Sequence, residues 1–142
     1  MNRFTIEHRV PWPDVDLVGV VYFARFLSYF EMAEVEWMRA QKIDYEGLLN
    51  KAKIWLPRVS AHCDYQSPAR FGDLLSIAMK LGRVGRSSFK LVYEIHRLPE
   101  RTHLADGYIV AAAVSRSTFK AVPLPDQLRE VLQTLEVEQD KN

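Results

Sequence analysis

Residues 19–43 read GVVYFARFLSYFEMAEVEWMRAQKI, and the reading of that stretch decides the fold. No proline interrupts it, and Phe23, Phe26, Leu27, Phe30, Ala33, Trp37 and Ala40 recur at the spacing of one helical face. Tyr22, Tyr29, Met32, Val35 and Met38 fall off that stripe, so apolar groups cover most of the circumference of its first half. A helix apolar nearly all round is buried on several sides. Wrapping a sheet around it is the economical way to bury it, and the rest of the chain must then supply strands.

It does. Upstream, RFTIEHRV (3–10) alternates Phe4, Ile6, His8 and Val10 against Arg3, Thr5, Glu7 and Arg9, the period of a half-buried strand, and Pro11 and Pro13 end it. Downstream, a short helix is expected over residues 45–52. Strand-forming stretches follow at IWLPRVSAHCDYQ (54–66), LLSIAMKLGRVG (74–85), SSFKLVYEIHRL (87–98) and THLADGYIVAAAVSRSTFK (102–120). GRVGRS (82–87) reads as a tight hairpin connection. KAVPLPDQLREVLQTLEVEQ (120–139) reads as a proline break and a short amphipathic helix with Asp126 at its N-cap. A strand, a long central helix and an antiparallel sheet of about five strands wrapped around it make one α+β domain over residues 1–142. The order β-α-ββββ is that of a hotdog fold.

Composition narrows the functional classes. A net charge of +1 gives no global attraction for nucleic acid, although Arg83 with Arg86 makes a local basic spot. The single cysteine, Cys63, rules out an internal disulfide framework and favours a reducing compartment. NRFTIEHRV after Met1 lacks the apolar run of a secretory signal, and no stretch is apolar long enough to span a membrane. A cytoplasmic protein is expected. His62 and Cys63, adjacent on a strand, point to opposite faces and cannot chelate one metal ion. Gly-x-Ser-x-Gly, His-Glu-x-x-His and Cys-x-x-Cys are all missing, and GRVGRSS lacks the lysine of a phosphate-binding loop.

The remaining chemistry lies in PDVDLVGVVYF (13–23). In its ordinary reading one aspartate caps the helix and the other occupies an exposed turn. Gly19, followed by Val20 and Val21, suggests instead a backbone that approaches something closely at a helix start, where free N–H groups bind anions and polarise carbonyls. A carboxylate beside such amides can hydrolyse an activated acyl group. The amides hold the oxyanion, and the carboxylate attacks the carbonyl or deprotonates water. Thioesters suit this arrangement because the thiolate leaves without a strong general acid.

The segment WPDVDLVGVVYFARFLSYFEMA (12–33) resembles the signature of the 4-hydroxybenzoyl-CoA thioesterase family and its bacterial acyl-CoA thioester hydrolases. VSAHCDYQSPARFGDLLSI (59–77), GRSSF (85–89), ADG (105–107) and KAVPLP (120–125) extend the resemblance over nearly the whole chain. It implies that Asp16 is catalytic, that Gly19 shapes the helix start, and that a backbone N–H near Phe23 contacts the oxyanion. It implies an active site between two subunits of a hotdog dimer, often paired again into a tetramer, with CoA along the interface. Coenzyme A is then part of the substrate and no separate cofactor or metal is required.

Glu31 matches a common glutamate of that motif and reads as structural support. Arg86 is a candidate for the CoA phosphates or a solvated hairpin arginine, and Val20, Pro57 and Val59 are candidate pocket residues. Tyr65 reads as strand packing or pocket lining. Many relatives have histidine in place of Phe23 and small residues in place of Val15 and Leu17, which implies an apolar pocket here. The expectation is an acyl-CoA thioesterase acting on an aryl or aliphatic thioester, carried by CoA or by an acyl carrier protein. Its alternatives are a non-catalytic binder of acyl thioesters or acyl carrier protein, and an enoyl-CoA hydratase, which would want a histidine shortly after Asp16.

Overall fold

The computed structural model describes residues 3–139. The outermost residues of the expected domain, 1–2 and 140–142, lie outside it. Strand β1 (Phe4–Arg9) leads through a 3-10 turn at Trp12–Asp14 to helix α1 (Arg25–Ala40), then α2 (Tyr45–Ala52). Strands β2 (Ile54–Trp55), β3 (Arg58–Tyr65), β4 (Leu74–Val84), β5 (Ser88–Leu98), β6 (Thr102–Ala112) and β7 (Val114–Ser115) follow, and α3 (Asp126–Leu132) comes last. Five strands form one antiparallel sheet in the order β1-β4-β5-β6-β3, while β2 and β7 pair separately. The expected α+β hotdog architecture is present.

The alternation of β5 shows how sequence becomes core. Phe89, Leu91, Tyr93 and Ile95 are buried under α1, whereas Lys90, Glu94 and His96 line the opposite face. Phe30 of α1 is fully buried and its ring stacks on Tyr93 at 4.5 Å. It rests directly over Gly107 of β6, where any Cβ would lie 2.5 Å from its ring. Tyr29, Ala33 and Trp37 complete the buried stripe.

The structure corrects the sequence reading at several points. Helix α1 starts at Arg25, not Gly19, because residues 15–21 are already committed to a small hairpin. Val15 bridges Val21, Asp16 N–H donates to Val20 O at 2.9 Å, and Val21 N–H donates to Ala69 O at 2.7 Å. Strand-like pairing of these groups leaves no helical ladder to begin before Ala24. Nor does either aspartate cap the helix: Ala24 is the N-cap and no side chain bonds there. The helix is also covered on one side only, since Ser28, Glu31, Val35 and Arg39 stay exposed along it, and Tyr22 and Phe23, expected within it, lie exposed ahead of its first turn. The third helix is capped by Pro125, with Asp126 inside its first turn and making no capping bond. Two of the expected strands divide. Leu56–Pro57 separates β2 from β3, Ala113 separates β6 from β7, and the short pieces pair with each other.

Candidate active site

The hairpin of residues 15–21 is built around a β-turn. Gly19 N–H donates to Asp16 O at 3.0 Å, and Val18 N–H donates to the Asp16 carboxylate Oδ1 at 2.9 Å. Gly19 takes φ +87°, a left-handed conformation that favours glycine, and a Cβ there would meet nothing within 4 Å. Its role is therefore conformational, and the close approach expected from the sequence does not occur within this chain. Leu17 and Val18 stand fully out at the tip, and Val20 is half-buried on the return arm, bridged to Arg70. Asp16 is exposed and has no ion-pair partner among the described residues.

Asp14 has the opposite fate. Its side chain is only 14% exposed, and its Oδ2 accepts a 2.6 Å hydrogen bond from Tyr29 Oη, with Arg25 Nε 3.7 Å from Oδ1. Its carbonyl also accepts the Tyr22 N–H at 2.8 Å. Burial first, and then the Asp14 carboxylate, push the Tyr29 phenol far above its ordinary range. Of the two carboxylates, Asp14 ties the hairpin to α1, and Asp16 is left free at the surface. Sequence reasoning did not find the Tyr29 partner; a tyrosine on the buried stripe, needing an acceptor for its hydroxyl, was the available signal.

The return arm leads into a turn at residues 22–24. Arg25 N–H donates to Tyr22 O at 2.9 Å and Phe26 N–H to Phe23 O at 3.3 Å. The N–H groups of Phe23 and Ala24 have no acceptor among the described residues. This is the free-amide end expected of a helix start. Tyr65, the last residue of β3, closes over it: its hydroxyl donates to Phe23 O at 2.7 Å, and its ring meets Phe26 edge-on at 5.1 Å.

The candidate residues fall into two groups. Asp16, Gly19, Val20 and Phe23 gather at the end of the sheet marked by Tyr65. Pro57, Val59 and Arg86 lie at the other end, because β3 pairs Arg58 with Ala111 and Tyr65 with Ala105, and Ala111 stands opposite Phe89 beside the β4–β5 hairpin. Seven strand residues separate these rows, roughly 23 Å. Arg86 is exposed in that hairpin, closed by Gly85 N–H to Ser88 O at 2.7 Å as the sequence suggests. Its carbonyl accepts from Leu124 N–H and from Arg129, and its guanidinium has no hydrogen-bond or ion-pair partner among the described residues. Val59 is 60% exposed on β3, an edge strand open on nearly its whole length.

A second cluster lies along α1. Glu34, 3% exposed, pairs with Arg58 at 2.8 Å, and Tyr45 packs beside them. Burial pushes the Glu34 carboxyl up against the pull of Arg58, and pushes Tyr45 up to about 12. Glu31 lines the same hollow of about 370 Å³ without pairing to Arg58. Elsewhere, His62 bonds toward Asp64 and stacks on Tyr108, while Cys63 packs toward the core, so the two do point apart. Among the described residues no group of His, Cys, Asp and Glu side chains is placed to hold a metal ion, and no helix is long and apolar enough to cross a membrane.

The sequence model of the Thioesterase-like superfamily matches residues 10–132. The chain belongs to that superfamily. Family, hotdog fold and the class of thioester hydrolase all stand as the sequence suggested. Among relatives of this thioesterase-like chain is a 1,4-dihydroxy-2-naphthoyl-CoA hydrolase from Synechocystis, 29% identical over 125 residues that cover 88% of this chain and 91% of the relative. The acyl-CoA thioesterase YbgC of Haemophilus influenzae is 27% identical over 128 residues, covering 90% and 93%. The crystal structure of a 1,4-dihydroxy-2-naphthoyl-CoA thioesterase from Synechocystis superposes with a TM-score of 0.87 at 27% identity, covering 92% of this chain and 96% of that one.

Proposed function

We propose that this chain hydrolyses an acyl- or aryl-CoA thioester to the free acid and CoA, with Asp16 as nucleophile or general base and the Phe23 turn as the oxyanion site. The observation that carries the reading is the pairing of an exposed carboxylate, bonded among the described residues only to the Val18 N–H of its own turn, with a free-amide turn on adjoining segments of one thioesterase-like chain. As the thioester carbon becomes tetrahedral, negative charge grows on its oxygen, and N–H donors already in place stabilise it without reorganising. Asp16 supplies the other half of the reaction. It either bonds to the carbonyl carbon, giving an anhydride that water opens, or takes a proton from the attacking water. In both routes the C–S bond breaks and CoA leaves as the thiolate.

The same reading places the working site between two copies. In one chain Asp16 faces solvent and Arg86 lies at the far end of the sheet. Pairing of β3 with its own copy about a two-fold axis would bring the Arg86, Pro57 and Val59 end of the second copy beside the first copy's Asp16. It would also cover an exposed edge strand and exclude water from the carboxylate, strengthening the local electrostatics. The nearby relatives are named for aryl and acyl CoA esters alike, and the acyl group is left at that breadth.

The test is thiol release from a panel of aryl-, short-acyl and long-acyl-CoA thioesters by the wild type and Asp16→Asn, with folding and mass in solution checked for both. A loss of a few orders of magnitude in the variant is expected. Mixing Asp16→Asn with Arg86→Glu subunits should restore part of the activity, because one of the two composite sites in a mixed dimer is then intact. Equal rates for wild type and Asp16→Asn would remove Asp16 from the mechanism, and a wild type inactive on every thioester would overturn the reading.

A further inference from the structure

We propose that Tyr65 is a positioning residue for catalysis: through its hydroxyl it fixes and polarises the peptide group that presents the Ala24 N–H, which makes the oxyanion site a two-amide device of Phe23 and Ala24. The inference rests on the thioesterase reading above and adds to it a residue outside the Asp16 motif.

The geometry is that of two consecutive peptide planes. A peptide unit is planar and trans, so holding its carbonyl oxygen also fixes the direction of its N–H, which points the opposite way. The unit between Tyr22 and Phe23 is held by the backbone, since Tyr22 O accepts the Arg25 N–H at 2.9 Å, and this sets the Phe23 N–H. The next unit carries Phe23 O and the Ala24 N–H. Within the backbone its oxygen has only the long 3.3 Å bond from Phe26 N–H. The short bond on that oxygen, 2.7 Å, comes from Tyr65 Oη, a side chain 42 residues further along the chain. Without it the second plane is free to tip toward solvent. With it, the carbonyl is drawn to one side and the Ala24 amide is presented on the other, next to the Phe23 amide.

Polarisation acts in the same sense. A donor bonded to a peptide oxygen draws charge through the amide and strengthens the N–H as a donor, by ~10–30% per bond in condensed-phase estimates. Tyr65 is equipped to remain such a donor. Burial of the hydroxyl first, and the neighbouring Cys63 thiol second, push its phenol up to about 12, so it stays protonated at neutral pH. The ring is anchored independently of the hydroxyl by its edge-on contact with Phe26. Tyr65 is also 46% exposed, so water can reach the Phe23 carbonyl if the phenol is removed. Packing and hydrogen bonding are thus separable in one substitution.

Tyr65→Phe keeps the ring and deletes only the donor. Removing an entire oxyanion donor costs on the order of 100- to 1,000-fold in kcat; loosening one of two should cost about tenfold, with KM changed less than about twofold. A second readout reports on the oxyanion site directly: the infrared stretch of the thioester carbonyl bound to Asp16→Asn, which binds without turnover. Adding Tyr65→Phe to that variant should move the stretch to higher frequency. Incorporating fluorotyrosine at position 65, a stronger donor in the same place, should move both readouts the other way and does not depend on Tyr65→Phe folding well. Unchanged kcat with an unchanged carbonyl stretch overturns the proposal while leaving the thioesterase reading intact. A wild type inactive on all thioesters overturns both.

Discussion

Gly107→Ala tests how tightly the helix and the edge strand are held on the sheet. Gly107 lies in β6 between Tyr93 of β5 and Cys63 of β3. A Cβ built there overlaps His62 O and falls 2.5 and 2.7 Å from two ring atoms of Phe30. Neither neighbour yields cheaply, because one is the backbone of β3 and the other is a fully buried ring already stacked on Tyr93. Overpacking a dense core costs ~1–3 kcal/mol, and a backbone clash belongs at the upper end. At ~2.1 cal/mol/K per residue, a chain of 142 residues unfolds with an entropy of ~0.3 kcal/mol/K, so ~3 kcal/mol lowers Tm by ~10 °C. Calorimetric melts at one fixed protein concentration read this, the concentration being held because self-association would shift Tm. Displacing His62 also moves the strand that ends in Tyr65, so thiol release should fall in the folded variant. A Tm within about 3 °C of wild type would refute this tight packing and show that β3 and Phe30 sit more loosely than these contacts require.

The two aspartates should separate in the same assays. Asp14→Ala removes the acceptor of Tyr29 and should cost ~1.5–3 kcal/mol in urea unfolding, as expected for a hydrogen bond to a charged group. Asp16→Asn should change stability by less than ~0.5 kcal/mol while abolishing turnover; comparable stability losses would contradict the division drawn between them. On the outer sheet face, burial first and then His103 and Arg101 hold His96 below its ordinary value of 6.5, with Glu94 pulling the other way. The unfolded chain then binds the proton more readily. The contribution of His96 to stability is present above pH 6.5 and lost as pH falls through the depressed native value. His96→Gln should flatten that part of the stability-versus-pH curve, and an unchanged slope between pH 7 and 5 would refute it.

The sheet was legible in the sequence because its strands alternate cleanly: Phe89, Leu91, Tyr93 and Ile95 announce a buried face without any tertiary knowledge. The second helix was placed within its observed bounds, which the structure fixes by the Asp44 cap on Gly47 N–H and by the left-handed Lys53. The start of α1 was not legible, since GVVYF satisfies a helical pattern and a hairpin arm equally well. What decides between them is the bond from Val21 N–H to Ala69 O, from a segment 48 residues away. The candidate motif at residues 13–23 was read from its residue types and from the family resemblance, but two features of its structure were hidden from that reading. The partner of Asp14 is a helix tyrosine, and the residue over the Phe23 turn comes from the far end of β3. Both are hydroxyls whose acceptors only the tertiary fold selects.

The site and the core differ in how they are held, and that difference has consequences for function. Phe30, Tyr93 and Trp37 are fixed by dense packing at the middle of the sheet. Around Asp16 a few hydrogen bonds carry the geometry: Asp16 to Val18 and Val20, Asp14 to Tyr29 and Tyr22, Tyr65 to Phe23. Leu17, Val18, Tyr22 and Phe23 all stay exposed beside them. Regions with few buried apolar contacts open at lower free energy than the molecule as a whole, so this end should lose its geometry before the sheet loses its packing. A covering surface, whether acyl-CoA or the second copy proposed above, would bury those four side chains and rigidify the turn at the moment the amides are needed. Hydrogen exchange at residues 15–24 should therefore be fast in the free protein and slow when CoA thioester is bound to Asp16→Asn. Protection that is already high without ligand would mean that the turn is preorganised by its own bonds and gains nothing from being covered.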